Sequence, residues 1–286
     1  MSGLREIGVI GGGLMGSGIG EVVARAGLDV VVVEVTEDAA RAAAERVEES
    51  LRRAESRGKI DAGEVTAVLD RIRFETDLET LADRDLVIEA ASENEETKIE
   101  LFRQVGRILK KDDAILASNT SSIPIVKLGA VSGRPAHVMG VHFFNPAPVM
   151  QLVELIPSLT TASETLERMR SWVTDELGKE PIAATDRAGF VVNSLLVPYL
   201  LSAIRMYEAG YASAADIDRG MVLGCGHPMG PLALCDLIGL DTVRAIGVSM
   251  YEEFKEPLYS PPPLLDRMVE AGLLGTKTGR GFYPHA

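Results

Sequence analysis

The segment Glu6-Ile7-Gly8-Val9-Ile10-Gly11-Gly12-Gly13-Leu14-Met15-Gly16 runs from a short apolar stretch through a glycine turn into a helical pattern. Gly11, Gly13 and Gly16 have the G-x-G-x-x-G spacing. In this setting the first permits a tight turn, the second lets a pyrophosphate approach the backbone, and the third lets helix and strand pack closely. The helix opening at Leu14 would aim its N-terminal N–H groups and positive dipole end at those phosphates, with Leu14 and Met15 among the contacts. Glycines so spaced also serve ordinary turns, and only the position between strand and helix gives the motif weight. A second apolar run, Val30 to Val35, puts Glu34 eighteen residues after Gly16. A carboxylate there accepts the ribose hydroxyls of an adenosine and repels a 2′-phosphate, so NAD is expected over NADP.

Outward from this segment the chain alternates. Leu86 to Ala90 and Ile115 to Ser118 are further strand-length apolar runs, as expected of strands buried on both faces of a parallel sheet. Leu14 to Ala26, Asp38 to Arg57 and Asn94 to Leu109 have the length and period of crossover helices. Repeated βαβ units give an α/β fold, a doubly wound Rossmann-type N-terminal domain. Val138 to Phe144 and Leu152 to Ile156 add strand candidates, followed by a helix from Ser163 to Leu177 and a short run from Pro181 to Ala184. From Phe190 onward the pattern is helical, with turns at Gly210, Gly224 to Pro231, Pro257 and Pro261 to Pro263. The boundary is expected near Asp186 to Gly189. It separates a dinucleotide-binding domain, residues 1–186, from a smaller all-α domain, residues 187–286, assigned to substrate binding and dimerisation.

Composition narrows the partners. With 46% hydrophobic and 25% charged residues, the chain of 286 residues is in the range of a globular protein, and its net charge of −13 disfavours nucleic acid and anionic membranes. Any anionic ligand needs a local basic patch. No apolar run reaches the roughly eighteen residues of a membrane span. No secretory leader is visible, so a cytoplasmic protein is expected, with Cys225 and Cys235 reduced and buried. Their spacing matches no paired-ligand zinc pattern, and no metal site is expected.

Chemistry-bearing residues cluster after the later strand candidates: Ser118-Asn119-Thr120-Ser121-Ser122, His142-Phe143-Phe144-Asn145-Pro146, Glu154 and Gly189-Phe190-Val191-Val192-Asn193. Together with Leu116 to Ser122, His142 to Met150, Gly226 to Pro231 and Gly275 to Tyr283, they resemble the 3-hydroxyacyl-CoA dehydrogenases of the short, stand-alone 3-hydroxybutyryl-CoA type. The resemblance spans Ile7 to Tyr283. It implies a catalytic histidine at His142, its partner glutamate at Glu154, and substrate-binding groups at Ser121 and Asn193. Cofactor contacts implied beyond the glycine loop are Glu34, Glu93, Lys98, Ser121, Asn145 and Lys277, and CoA contacts are Ser50 and Arg57. It also implies a homodimer and an (S)-configured substrate. Arg57 stands where relatives commonly carry lysine, and Glu34 where many carry aspartate.

The residues support this chemistry on their own terms. Oxidising a secondary alcohol requires a group to take the hydroxyl proton, and imidazole suits that exchange near neutrality. Of four histidines only His142 stands at a strand beside other polar candidates. Glu154, twelve residues on, would return beside it on a neighbouring strand. His137 reads as a loop residue, His227 as part of a turn-rich helix junction, and His285 as a terminal residue without fixed structure. A lone Ser or Asn at these positions would be a cap, and Arg53 and Arg57 a solvated helix face. Two alternatives stay open: a dehydrogenase of a free hydroxy acid or sugar acid, as in crystallin-like relatives, and a non-catalytic NAD-binding protein. The apolar segments Phe190 to Met206, Leu232 to Leu240 and Val243 to Tyr251 exceed what so small a helical domain hides, which favours a dimer.

Overall fold

The computed structural model describes residues 2–285, and the chain divides into two compact units at Asp186/Arg187. In the first unit the strands β1 (Ile7–Ile10), β2 (Val30–Val33), β3 (Ile72–Glu75), β4 (Leu86–Glu89), β5 (Ile115–Ser118), β6 (Val138–Phe143), β7 (Leu152–Pro157) and β8 (Glu180–Ala183) form one sheet. Its order is β3-β2-β1-β4-β5-β6-β7-β8. Strands β1 to β6 pair in parallel, β7 is antiparallel to β6, and β8 is parallel to β7. The crossover helices are α1 (Leu14–Arg25), α2 (Glu37–Ser56), α3 (Ala62–Leu69), α4 (Glu95–Ile108), α5 (Ile125–Val131) and α6 (Ser163–Ser171). Every residue of β1, β2, β4 and β5 is buried, the result expected where helices cover both faces. The four valines of β2 alone contribute roughly 1.5–3 kcal/mol each by burial. Strand order reverses between β1 and β4, so the crevice beyond their carboxyl ends is where such a sheet binds ligands.

The structure amends several sequence expectations. α3 and β3 went unread because Ile72-Arg73-Phe74-Glu75 is an edge strand, apolar at alternate positions only, and α3 is short. Val35 lies outside β2 and is exposed. The helix expected from Ser163 to Leu177 stops at Ser171 and widens into a π-turn, Trp172–Glu176. The slower rotation per residue in that turn lets adjacent Trp172 and Val173 both face the core.

The second unit packs α7 (Val192–Glu208), α8 (Ala214–Cys225), α9 (Pro231–Ile238), α10 (Leu240–Phe254) and α11 (Pro263–Glu270) around Leu200, Leu201, Ile204, Leu232, Val243 and Leu265. The glycines of the Gly226–Pro231 segment end α8 in a left-handed cap and bring Gly230 against Asp218. Cys235 is buried, but Cys225 at the end of α8 is exposed, contrary to the expectation for both thiols. His285 is not loose: its Nε2 lies 2.9 Å from Oδ2 of the fully buried Asp236. Among the described residues, no helix is long and apolar enough to cross a membrane, and no cluster of side chains suits a metal ion.

Candidate active site

The glycine loop shows what each position demands. Gly11 has φ +89°, and a Cβ there would stand 2.9 Å from the Ala90 carbonyl; one on Gly16 would fall 1.7 Å from the Gly11 carbonyl. Turn geometry and close packing therefore require both. Gly13 differs. Its backbone is ordinary, and a Cβ would meet nothing of this chain within 4 Å, so neither turn geometry nor packing demands glycine there, and the loop leaves room for a pyrophosphate to approach. The Gly12 peptide groups are anchored: Glu34 Oε1 accepts from Gly12 N at 2.6 Å, and Ser17 Oγ and Arg46 Nη1 donate to Gly12 O at 2.6 and 3.1 Å. Glu34 Oε2 accepts from Val35 N at 3.1 Å. Each carboxylate oxygen keeps a further lone-pair direction for a ribose hydroxyl. These residues fit a dinucleotide.

At the end of β4, Glu89 is fully buried in an otherwise apolar strand. It accepts Lys98 Nζ at 2.6 Å, Ser118 Oγ at 2.6 Å and Ala91 N at 2.7 Å, so its charge is compensated. Lys98 Nζ also lies 3.3 Å from Glu93, whose carboxylate gathers the Thr120 hydroxyl, Ser121 N at 3.1 Å and Ser122 Oγ at 2.8 Å. Burial pushes the Glu93 carboxyl up, but the Lys98 charge and the Thr120 and Ser122 hydroxyls outweigh it and hold it below the usual range. Lys98 itself is 1% exposed, so its influence on the crevice passes through Glu93 rather than through an open ammonium. Sequence reasoning missed Glu89, and it quoted Thr120 within Ser118 to Ser122 without giving it a role. The one signal was an acid closing the apolar run Leu86-Val87-Ile88-Glu89, nine residues before a lysine.

β6 and β7 bring the proposed dyad together. Their antiparallel register sets His142 opposite Glu154, and Nδ1 lies 2.7 Å from Oε2, with the histidine nearly buried and the glutamate wholly so. Phe144 stands edge-on to the imidazole at 4.7 Å between ring centroids. Asn119, after β5, accepts from Phe143 N at 2.8 Å and ties the Ser118–Ser122 loop to the histidine strand. Ser121 is half-buried on that loop, and Asn145 is exposed in the turn after β6, before a cis Pro146. Ser50 is half-buried on α2 and Arg57 exposed at its C-cap. In the helical unit, Asn193 is buried in the first turn of α7, and Lys277 lies over Gly239 with Nζ 2.5 Å from Asp241.

Residues 6–187 match the NAD-binding domain of 3-hydroxyacyl-CoA dehydrogenase, and residues 189–285 match its C-terminal domain. The chain belongs to the 3-hydroxyacyl-CoA dehydrogenase family. It is 53% identical over 282 residues to a 3-hydroxybutyryl-CoA dehydrogenase of Mycobacterium tuberculosis, covering 99% of both chains. Among solved structures, M. tuberculosis FadB2 is similar at TM-score 0.98 and 53% identity, covering 99% of each chain. The (S)-3-hydroxybutyryl-CoA dehydrogenase PaaH1 of Ralstonia eutropha is similar at TM-score 0.93 and 43% identity, again covering 99% of each. These relationships make the chain a member of an NAD-dependent oxidoreductase family.

Proposed function

We propose that the protein interconverts (S)-3-hydroxyacyl-CoA, with 3-hydroxybutyryl-CoA as the substrate nearest its relatives, and the 3-oxoacyl-CoA, using NAD. The observation that carries this reading is the 2.7 Å contact between His142 Nδ1 and Glu154 Oε2 on the sheet that also bears the glycine loop. Facing a carboxylate, Nδ1 keeps its proton, and Nε2 is the nitrogen that takes the substrate hydroxyl proton. Bound NAD supplies the acceptor for the hydride leaving C3. Glu154 stabilises the imidazolium that forms, and in the reverse direction Nε2 returns the proton to the nascent alkoxide. Ser121 is assigned to the substrate oxygen; Glu93, bonded to Ser121 N, sets where that residue sits. The assignment of Asn193 to the same oxygen rests on the resemblance of Gly189 to Asn193.

Glu34 and the glycine loop are assigned to NAD, with Glu93, Asn145 and Lys277 as further contacts and Lys98 acting behind Glu93. Residues 187–286 are assigned to substrate binding and to pairing of two copies. Exposed Leu195, Leu223, Leu237 and Tyr211 in the helical unit favour that pairing. Oxidation of NADH, followed by its absorbance, with acetoacetyl-CoA and with free acetoacetate tests the reading. CoA-dependent turnover is expected; equal turnover of the free acid would support the hydroxy-acid alternative, and none with either would refute a catalytic role.

A further inference from the structure

Ser17, buried at 4% exposure near the start of α1, belongs neither to the glycine spacing nor to the dyad, yet it holds the glycine loop at two points. Its N–H donates to Gly13 O at 2.9 Å, the ordinary i−4 bond that opens a helix. Its Oγ passes that carbonyl and donates to Gly12 O at 2.6 Å, and its other acceptor, Ala43 O, stands at 3.5 Å. A serine has one O–H, so the nearer oxygen takes it. Helical serines ordinarily return the hydroxyl to a carbonyl of their own helix, three or four residues back. Here it reaches beyond the helix into the loop. Arg46 Nη1, from α2, donates to the same Gly12 oxygen at 3.1 Å.

A trans peptide is planar, with its carbonyl and its N–H on opposite sides. Turning Gly12 O toward Ser17 and Arg46 therefore turns Gly13 N–H away from them, and turning Gly13 O toward Ser17 N does the same for Leu14 N–H. Neither N–H donates to any group among the described residues. The preceding residue is fixed as well: Glu34 Oε1 holds Gly12 N at 2.6 Å, and a Cβ on Gly12 would fall 2.4 Å from Ala43 Cβ, so the backbone is pressed against α2. Gly13 itself is exposed, and a Cβ there would meet nothing within 4 Å. Two successive amides are thus left without acceptors where the backbone is open, as a phosphate requires of a loop that opens a helix.

We propose that Ser17 is a positioning residue for NAD: its hydroxyl, with Arg46 as a second hold, fixes the Gly12–Gly13 peptide so that Gly13 N–H is turned toward the pyrophosphate before the cofactor arrives. The inference uses the family's cofactor and goes beyond the substrate reading, which it does not need. A peptide between two glycines has unusual freedom to rotate, and binding would otherwise have to order it. Glycine permits the turn; the hydroxyl selects its direction.

The test is the dissociation constant of NADH, followed by its fluorescence, with ADP-ribose and adenosine as competitors, in the wild type, Ser17→Ala, Arg46→Met and the double variant. ADP-ribose keeps the pyrophosphate and adenosine lacks it, while both present the ribose assigned to Glu34. Ser17→Ala removes one neutral hydrogen bond and is expected to weaken NADH and ADP-ribose about threefold to tenfold. Arg46→Met, with the hydroxyl still in place, should cost less than about twofold. The double variant should lose more than the product of the two, because the carbonyl is then released. Adenosine should bind all four proteins alike, which also shows each to be folded. Unchanged NADH affinity in the double variant, or an equal loss for adenosine, would overturn the role of Ser17. So would a full loss in Arg46→Met with none in Ser17→Ala, since the arginine would then be meeting the phosphates directly. A wild type that binds no NADH would overturn the inference together with the assignment of NAD to the loop.

Discussion

Buried carboxylates do different work in the two units. In the sheet unit, Glu89 meets an ammonium and Glu154 an imidazole, both side chains at the carboxyl-end edge of the sheet. In the helical unit, Asp218 accepts Leu232 N and Ala233 N at 2.8 and 2.9 Å, and Asp236 accepts Phe282 N and Tyr283 N, each at 2.8 Å. The aspartates hold backbone in place: one fixes the start of α9, the other pins the tail. Glycine completes the second arrangement, since a Cβ on Gly281 would fall 2.0 Å from Asp236 Oδ1 and one on Gly275 2.2 Å from its carbonyl. Burial of an acid is therefore no mark of chemistry by itself. The partner decides: a titratable side chain at a ligand crevice suggests reaction, whereas a pair of amides suggests architecture.

That contrast is broken most forcefully at His142. His142→Gln is expected to keep its folding transition and NAD affinity and to lose roughly 10²–10⁴-fold in kcat, the loss typical of a missing general acid/base. Near-normal turnover would place the dyad with the architectural acids. Glu154→Gln should slow turnover on a comparable scale, by as much as about 10⁴-fold, because the carboxylate that holds the imidazole in its reactive tautomer is gone; steady-state kinetics beside a melting curve separates that from unfolding. Asp236→Ala reverses the pattern. It leaves two part-buried backbone N–H groups without acceptors, a cost of about 1–3 kcal/mol in urea unfolding, with kcat per folded molecule little changed. A large kcat loss at full stability would erase the distinction between the units.

How far these roles were legible in the sequence follows the same division. The doubly wound class was readable because its strands are uniformly apolar and its glycine loop sits between strand and helix, features local to a few residues. The spacing from His142 to Glu154 also announced a strand return, and the register realises it. By contrast, Glu89 and Thr120 act through partners supplied by other segments, and no spacing within their own segments encodes those encounters. Asp236 is similar: its tail partners lie 46 to 49 residues away, so His285 looked like a loose end until the tail was seen folded back onto α9. Lys98 was named as a cofactor contact through the resemblance alone, which says nothing of its depth. Only the packing around Glu89 shows that its ammonium is sealed from the crevice.

Glu34 offers a subtler probe because it binds Gly12 N and is also the carboxylate assigned to the ribose. Glu34→Gln keeps an acceptor for that amide and removes the charge. The ratio of kcat/KM for NADP to that for NAD should rise by about tenfold, through relief of repulsion on a 2′-phosphate. Equal use of both cofactors by the unaltered protein would detach Glu34 from cofactor choice and leave it a loop anchor.

The smallest expected effect is the sharpest test of the architectural reading. His285→Ala removes one of the three groups bonded to Asp236 but spares the Phe282 and Tyr283 amides. The carboxylate stays satisfied, so the loss is that of a single hydrogen bond, about 0.5–1.5 kcal/mol, and not the larger cost of stranding part-buried donors. Urea midpoints should therefore order as wild type, then His285→Ala, then Asp236→Ala, with kcat unaffected by the histidine change. If His285→Ala were as damaging as Asp236→Ala, the ion pair rather than the two backbone amides would be holding the tail. The lesson drawn from amide-bound acids would then fail at the position that illustrates it best.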